Sequence, residues 1–205
     1  MKLNKDIFIN PLSKGNPILV LVLGICSALA VTAQIRPALV MGISVTVVTA
    51  FSNVIISLIR NSIPNRIRII VQLVVIAALV IIVEQILKAY SYEMWKQLSV
   101  FIGLIITNCI LMGRLEAFAL ANKPFDSFVD GIANGLGYAL VLVVIAFFRE
   151  LFGSGTIFGF AVIPQAAYDS GYSNNGLMIL PPMALIVVAC IIWVHRSLNK
   201  DLQEK

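Results

Sequence analysis

Two of the three cysteines in this chain, Cys26 and Cys109, have surroundings that point to chemistry rather than to packing alone. Each lies in a short apolar segment, LGICSALAVT or ITNCILMGR, in which the nearest residues are small or polar. Such neighbours permit close helix contact or a local helix break, whereas lipid-facing positions favour larger apolar residues. Thiolates are the usual ligands of iron–sulfur clusters. A disulfide is the other possibility, but it fits poorly with a protein whose ends face a reducing cytoplasm.

Two thiolates cannot complete a four-thiolate site, so ligation by this pair predicts a partner chain that supplies two more. Packing is the competing interpretation, because a cysteine in a membrane helix is usually a small apolar packing residue. Cys190 lies late in the last apolar run without a counterpart elsewhere in the chain. We therefore interpret Cys190 as a packing residue.

Asp130 is the acidic residue best suited to a cation pathway. It precedes a glycine-rich run that contains Gly131, Gly135 and Gly137, with Asn134 between them. Hard oxygen ligands beside a permissive backbone could briefly hold a sodium ion at the inner mouth, since ionisable groups in membrane proteins often mark ion paths. The alternative is that Asp130 is a helix N-cap, and that the glycines allow tight helix packing.

Other polar residues do not form a recognisable catalytic site. Arg60 and Arg149 each end an apolar stretch, and we interpret both as interfacial anchors. The chain contains no Ser/His/Asp arrangement, HExxH or Cys-x-x-Cys motif. We therefore expect no complete active site in this chain alone.

The elements that position these residues must be membrane helices. The chain has 205 residues, of which 60% are hydrophobic and only 12% are charged. Soluble domains have roughly 25% charged residues, and disordered segments need low hydrophobicity with high charge. The net charge of +5 does not indicate nucleic-acid binding, because the basic residues lie between apolar runs, as in loops that face an anionic leaflet. The composition predicts a polytopic membrane protein.

The apolar runs predict an all-α protein with six transmembrane helices in one integral membrane domain, residues 1–205. A spanning helix needs about 17–25 largely apolar residues. The predicted helices cover residues 17–34, 38–60, 67–88, 97–114, 131–149 and 176–195.

The distribution of basic residues predicts that both termini are cytoplasmic. With that orientation, eleven of the fifteen Lys and Arg residues fall on the inside, as the positive-inside rule requires. The remaining four fall on the outside: Arg36, Lys88, Lys96 and Arg149.

The six helices divide into two three-helix repeats, residues 16–90 and 96–196. Each repeat opens with a cysteine-bearing segment and has a second helix that ends in an arginine step, SLIR or AFFR. An odd number of spans per repeat inverts the second repeat, and proteins of this kind often place their site on interrupted first helices near the midplane. We expect the first helix of each repeat to be interrupted at its cysteine.

The two cysteines are predicted to lie at similar depth. Cys26 follows Pro17 by nine residues, about 14 Å from the cytoplasmic face, and Cys109 follows Gln97 by twelve, about 18 Å from the outer face. In a hydrocarbon core about 30 Å thick, these depths differ by only a few ångströms. The two thiols could therefore meet in the middle of the membrane. The nearby backbone N–H groups of residues 24–27 and 108–110 are candidates for tuning a bound cluster.

Long segments of the chain resemble a known family. The runs NVIISLIRNSIPNRIRIIVQ, KQLSVFIGLIITNCILMGRLEAFA, DGIANGLGYAL and FFRELFGSGTIFG are similar to the NqrD/RnfE family of membrane subunits, collinearly from about Asn16 to Pro182. The chain looks more like the D-type member from sodium-translocating NADH:quinone oxidoreductases. The homologous E-type member from the Rnf ferredoxin:NAD oxidoreductase usually has a longer loop before the last helix and a charged tail.

The resemblance implies an electron-transfer subunit of a six-subunit, sodium-pumping complex in the bacterial inner membrane. Cys26 and Cys109 would ligate an intramembrane [2Fe-2S] cluster shared with a paralogous E-type membrane protein, which supplies two further cysteines. FAD, FMN, riboflavin and quinone would be bound by other subunits. Three other functions stay open at this point: the equivalent Rnf component, a small inverted-repeat secondary transporter and a structural membrane protein without a cofactor.

Overall fold

The computed structural model describes residues 15–61, 63–64, 66–158, 160–161 and 176–199, and these are mainly helical. The α-helices are α1 (Ile25–Val31), α2 (Ile35–Ile59), α3 (Arg68–Tyr90), α4 (Tyr92–Ile106), α5 (Cys109–Arg114), α6 (Pro124–Ser154) and α7 (Pro181–Leu198). A π-helical turn, Leu115–Ala119, continues α5, and a 3-10 turn, Gly176–Ile179, precedes α7. Two short antiparallel strands follow α6: β1 (Thr156–Ile157) and β2 (Phe160–Ala161).

Five helical stretches of the described chain are long and apolar enough to cross a membrane, rather than the six predicted. Three of them correspond closely to predicted spans: α2, α3 and α7. The fourth runs through α4, α5 and the π-helical turn, Trp95–Ala119, and the fifth is α6. The length and composition of these helices thus agree with the predicted multi-pass membrane character.

The structure corrects the first predicted span, residues 17–34. Residues 15–24 form turns, and only the seven residues of α1 are α-helical. The side chain of Asn16 accepts hydrogen bonds from the N–H groups of Ile18 and Leu19, at 3.0 and 3.3 Å, and so stabilises a turn instead of a helix. Val22 and Gly24 adopt positive φ, which also interrupts a right-handed helix.

The predicted span 131–149 is too short at both ends, because α6 runs from Pro124 to Ser154. An N–H group at the first helical position has no acceptor within the helix. Proline has no N–H, so Pro124 starts the helix without the loss of a hydrogen bond. The left-handed Gly155, with φ 67°, follows the last helical residue. Asp130 is therefore six residues inside α6, not before its start.

The centre of the fold is the contact between α2 and α6, where small residues let the two backbones approach closely. A Cβ atom on Gly135 would lie 2.6 Å from the Thr46 Cα, and one on Gly131 would lie 2.7 Å from the Ala50 Cα. Both distances are too short for any side chain, so the predicted role of these glycines in tight packing is confirmed. The other helices pack around this pair, and α3 and α7 keep most of their apolar side chains on the surface.

Candidate functional site

The two predicted ligands lie at the starts of two short helices. Cys26 is the second residue of α1 and Cys109 is the first residue of α5, so each follows a break in its membrane segment. The breaks lie where the sequence predicts them. Both cysteines are exposed on the surface of this chain and both are free. Their thiols are therefore accessible to a partner chain or to a group held between chains.

Hydrogen bonds between the neighbouring residues connect the two breaks. The Asn108 side-chain amide donates to the Ser27 hydroxyl at 3.2 Å. Ser27 directly follows Cys26 and Asn108 directly precedes Cys109. The depth predicted for Cys26 assumes a continuous helix from Pro17, and residues 17–24 do not form one. The hydrogen bond between Asn108 and Ser27 nevertheless brings the two cysteine-bearing segments together.

A third side chain, Tyr138 of α6, completes this cluster. Its hydroxyl lies 2.6 Å from the Ser27 hydroxyl. The exposed fractions of Tyr138, Ser27 and Asn108 are only 0%, 2% and 4%, so the cluster is buried behind the two exposed cysteines. Polar groups buried in this way are stable when they are hydrogen-bonded to one another.

Gly24 explains how closely the two breaks approach. Its φ of 76° lies in the left-handed region, which favours glycine. A Cβ atom on Gly24 would also lie 2.6 Å from Cδ1 of Ile110, the residue after Cys109. The backbone conformation therefore favours glycine at this position, and the close contact with the Ile110 side chain adds to that preference.

Two of the predicted tuning amides are already used within the chain. The Asn108 N–H donates to the Ile105 carbonyl oxygen at 3.2 Å. The Ile110 N–H donates to the side chain of Asn108 at 3.1 Å, which caps α5. The other amides in the first turns of α1 and α5 have no intrahelical acceptor by position. Their role in tuning a cluster stays a prediction.

Asp130 lies in an ion pair with Arg114, which closes α5. The Arg114 Nε donates to one carboxylate oxygen at 2.9 Å, and Nη2 donates to the other. The Asn134 side chain also donates to the carboxylate, at 3.0 Å. The N-cap alternative is wrong, because Lys123 precedes the first residue of α6. The arginine fork engages both oxygens of Asp130, so a sodium ion could replace it only if Arg114 moved away.

The sequence suggested that Arg149 is an interfacial anchor. This interpretation is wrong, because the residue is buried, with only 1% of its surface exposed. Its guanidinium donates to the Thr32 hydroxyl at 2.6 Å, to the Ile179 carbonyl oxygen at 2.6 Å and to the Met178 carbonyl oxygen at 3.1 Å. Thr32 follows the last residue of α1. Arg149 thus connects the cysteine-bearing helix α1 to the turn that precedes α7. Arg60, the other predicted anchor, is half-buried and donates to the Asn122 carbonyl oxygen at 2.7 Å.

Glu150 is buried as well and has a second connecting role. Its carboxylate accepts a hydrogen bond from the Ile35 N–H at 2.7 Å, at the first residue of α2. An amide in the first turn of a helix has no intrahelical acceptor, and the positive end of the helix dipole favours an anion there. Arg149 and Glu150 together therefore stabilise the connection between α1 and α2.

Cys190 does not pack inside the described chain. It is exposed and lines an apolar groove of about 620 Å³ between α6 and α7, with Phe148, Met183 and His195 among its neighbours. The packing interpretation is thus wrong for this chain by itself. Cys190 lies in the second half of α7, inside a continuous helix rather than at a helix break.

Tyr138, Arg149 and Glu150 are the residues whose roles sequence analysis missed. The sequence contains only weak indications of these roles. Tyr138 lies near the centre of a predicted helix, and Arg149 and Glu150 form a charged pair at its predicted end. Ionisable residues of a membrane span normally face the interior of the helix bundle. That rule would have favoured burial once the true end of α6, Ser154, was known.

Comparison with known proteins agrees with the resemblance of the sequence. The family model described as "Rnf-Nqr subunit, membrane protein" matches residues 4–192. The D-type subunit of the Na(+)-translocating NADH-quinone reductase from Haemophilus influenzae is 56% identical over 201 residues, which cover 98% of this chain and 97% of that protein. The same subunit of Haemophilus ducreyi is 57% identical, with the same two coverages, and that of Pseudomonas paraeruginosa is 55% identical, with 98% and 90% covered.

These matches extend over nearly the whole length of both this chain and its relatives. They include both cysteine-bearing segments and the long central helices α2 and α6. The chain belongs to the Rnf-Nqr family of membrane subunits.

Proposed function

We propose that this chain is the D-type subunit of a sodium-translocating NADH:quinone reductase in the bacterial inner membrane. In this proposal it is an electron-transfer subunit without a complete active site. Cys26 and Cys109 supply two ligands to an intramembrane [2Fe-2S] cluster. The paralogous E-type membrane protein of the complex supplies the other two cysteines. The identity of 55–57% to D-type subunits of this reductase supports the assignment to the quinone reductase rather than to the Rnf complex.

The observation that carries the ligand proposal is the hydrogen bond between Ser27 and Asn108, adjacent to the two exposed cysteines. It joins the breaks of two different membrane segments, so both thiols begin helices on neighbouring parts of the same fold. The donor set fits half of a cluster: soft thiolates suit iron–sulfur clusters, and the described residues contain no group of three or more potential metal ligands. This donor count supports the proposal that a second chain completes the site.

When bound, the cluster carries one electron at a time between redox centres of the complex. The chain's own residues hold the two thiolates and set the distance between their helices. FAD, FMN, riboflavin and quinone belong to other subunits in this proposal. A mid-membrane position of the cysteines shortens the distance that an electron crosses between centres on opposite faces.

The proposal includes two inverted repeats, residues 16–90 and 96–196, with both termini cytoplasmic. Reciprocal contacts support the repeats. The end of α2 contacts the connection before α6, through Arg60 and the Asn122 carbonyl oxygen. The end of α6 contacts the connection before α2, through Arg149 and Thr32. A two-fold relation between the repeats produces such a pair of contacts.

The assignment is tested with the purified complex, by iron analysis and by the choice of electron acceptor. We expect iron bound to the membrane subunits and NADH oxidation that is coupled to reduction of a quinone and stimulated by sodium. Reaction with ferredoxin in place of quinone would favour the Rnf alternative. Substrate transport by this chain alone, without bound iron, would favour a secondary transporter.

Asp130 is proposed as part of the sodium pathway, with lower structural support because Arg114 pairs with it. We expect Asp130→Asn to raise the sodium concentration for half-maximal turnover by about 2- to 10-fold, which corresponds to the loss of one contact that contributes about 0.5–1.5 kcal/mol. Asp126→Asn is the matched control, since Asp126 is exposed in the first turn of the same helix. Unchanged sodium dependence, in a complex with normal subunit content, would remove Asp130 from the pathway.

A further inference from the structure

The hydrogens of the buried cluster at Ser27 can be assigned from its contacts. The Ser27 hydroxyl lies 2.9 Å from the Gly24 carbonyl oxygen, which can only accept, so Ser27 donates its hydrogen there. The Tyr138 hydroxyl, 2.6 Å from Ser27, must therefore be the donor in that contact. The Asn108 amide nitrogen donates to the same serine oxygen at 3.2 Å, and its carbonyl accepts from the Ile110 N–H. Ser27 thus donates once and accepts twice.

Tyr138 contacts both breaks although it lies on neither. Its ring is close to Gly24, since a Cβ atom there would be 3.3 Å from the Tyr138 Cε2. Its hydroxyl reaches Ser27 and, through Ser27, Asn108. It extends from α6, which packs closely against α2 and so provides a rigid support. Because all three side chains are buried, water does not compete for these hydrogen bonds.

We propose that Tyr138 is a positioning residue for the two cysteine ligands. Its hydroxyl donates to Ser27 and, through it, fixes the spacing between the helix that begins at Cys26 and the helix that begins at Cys109. This inference rests on the proposed function of the cysteines. The Tyr138 hydroxyl is hydrogen-bonded to Ser27 rather than to a thiol, and in this proposal Tyr138 takes no part in electron transfer. It acts by keeping the two helix breaks in one relative position.

The test uses the purified complex with Tyr138→Phe, which keeps the ring and removes only the donor, and with Ser27→Ala, which removes the shared acceptor. We expect both variants to broaden the electron paramagnetic resonance spectrum of the reduced intramembrane cluster. We also expect iron release to a chelator to be roughly 3- to 20-fold faster, the range expected for one hydrogen bond within a membrane protein. Tyr90→Phe is the matched control, since Tyr90 is 89% exposed.

Wild-type spectra and wild-type iron release in both variants would overturn the positioning role. Serine variants of Cys26 and Cys109 distinguish that failure from failure of the proposed function. If those variants lose the cluster signal while Tyr138→Phe has no effect, only the inference about Tyr138 is wrong. If they keep the signal, the ligand proposal itself is wrong, and the positioning role falls with it.

Discussion

Replacement of Cys26 or Cys109 by serine is expected to remove the intramembrane iron and to lower NADH:quinone reductase activity by about 100-fold or more. Thiolates are soft ligands that suit iron–sulfur clusters, and a serine hydroxyl is a hard donor that is not ionised at neutral pH. Even changes to residues beyond the ligands commonly reduce metal affinity or activity by about 10- to 100-fold. Direct loss of a ligand should therefore have an effect at or above the upper end of that range.

The measurements are iron content per complex, the spectrum of the reduced cluster and quinone reduction. The cysteine-to-serine change is small, and both side chains are exposed in this chain, so the protein itself should still fold. Cys190→Ser is the matched control, since Cys190 is equally free and exposed but lies inside α7 rather than at the start of a helix. Retained iron and activity in the Cys26 and Cys109 variants would contradict the redox function.

Replacement of Arg149 by leucine is expected to have the largest effect on stability. The change removes the donors to the buried Thr32 hydroxyl and to the carbonyl oxygens of Met178 and Ile179, which are only partly buried. Loss of hydrogen-bond partners at a buried polar group costs about 1–3 kcal/mol. For a domain of this size, a loss of about 1–3 kcal/mol lowers the melting temperature by roughly 2–12 °C.

The experiment measures the melting temperature and the content of this chain in the purified complex. Arg149→Lys should be intermediate, because an ammonium group keeps the charge but cannot reproduce the fork of an arginine. Arg36→Leu is the matched control, since Arg36 is exposed near the start of α2. A melting temperature for Arg149→Leu equal to that of the control would show that the buried hydrogen bonds contribute nothing to stability.

Much of the fold was predictable from apolar runs, because the length of a spanning helix follows from the thickness of the bilayer. The helices α2, α3 and α7 lie close to their predicted positions. The first predicted span failed because hydropathy does not distinguish a helix from an apolar stretch of turns. Its turns depend on local features, the Asn16 side chain and the positive φ of Gly24, that an average over many residues does not detect.

The two candidate ligands and their polar neighbours could be predicted from the sequence. The more distant side chains that hold them in place could not. Cys26 and Cys109 were identified from their small and polar neighbours, and Ser27 and Asn108 are among those neighbours. The roles of Tyr138 and Arg149 were not identified, because their partners in the first cysteine-bearing segment, Ser27 and Thr32, are more than 100 residues away in the chain. Residue spacing describes contacts along one helix, whereas these contacts join different helices.

The membrane character of the chain, its family and the two candidate cysteine ligands could all be inferred without coordinates. Apolar content and collinear similarity are properties of the residues alone. The hydrogen bonds of Ser27, Asn108 and Tyr138 between the two helix breaks, and the burial of Arg149, became known from the folded chain. The reason is that hydrogen bonds between distant segments form only after close packing, here of α2 against α6, has brought those segments together.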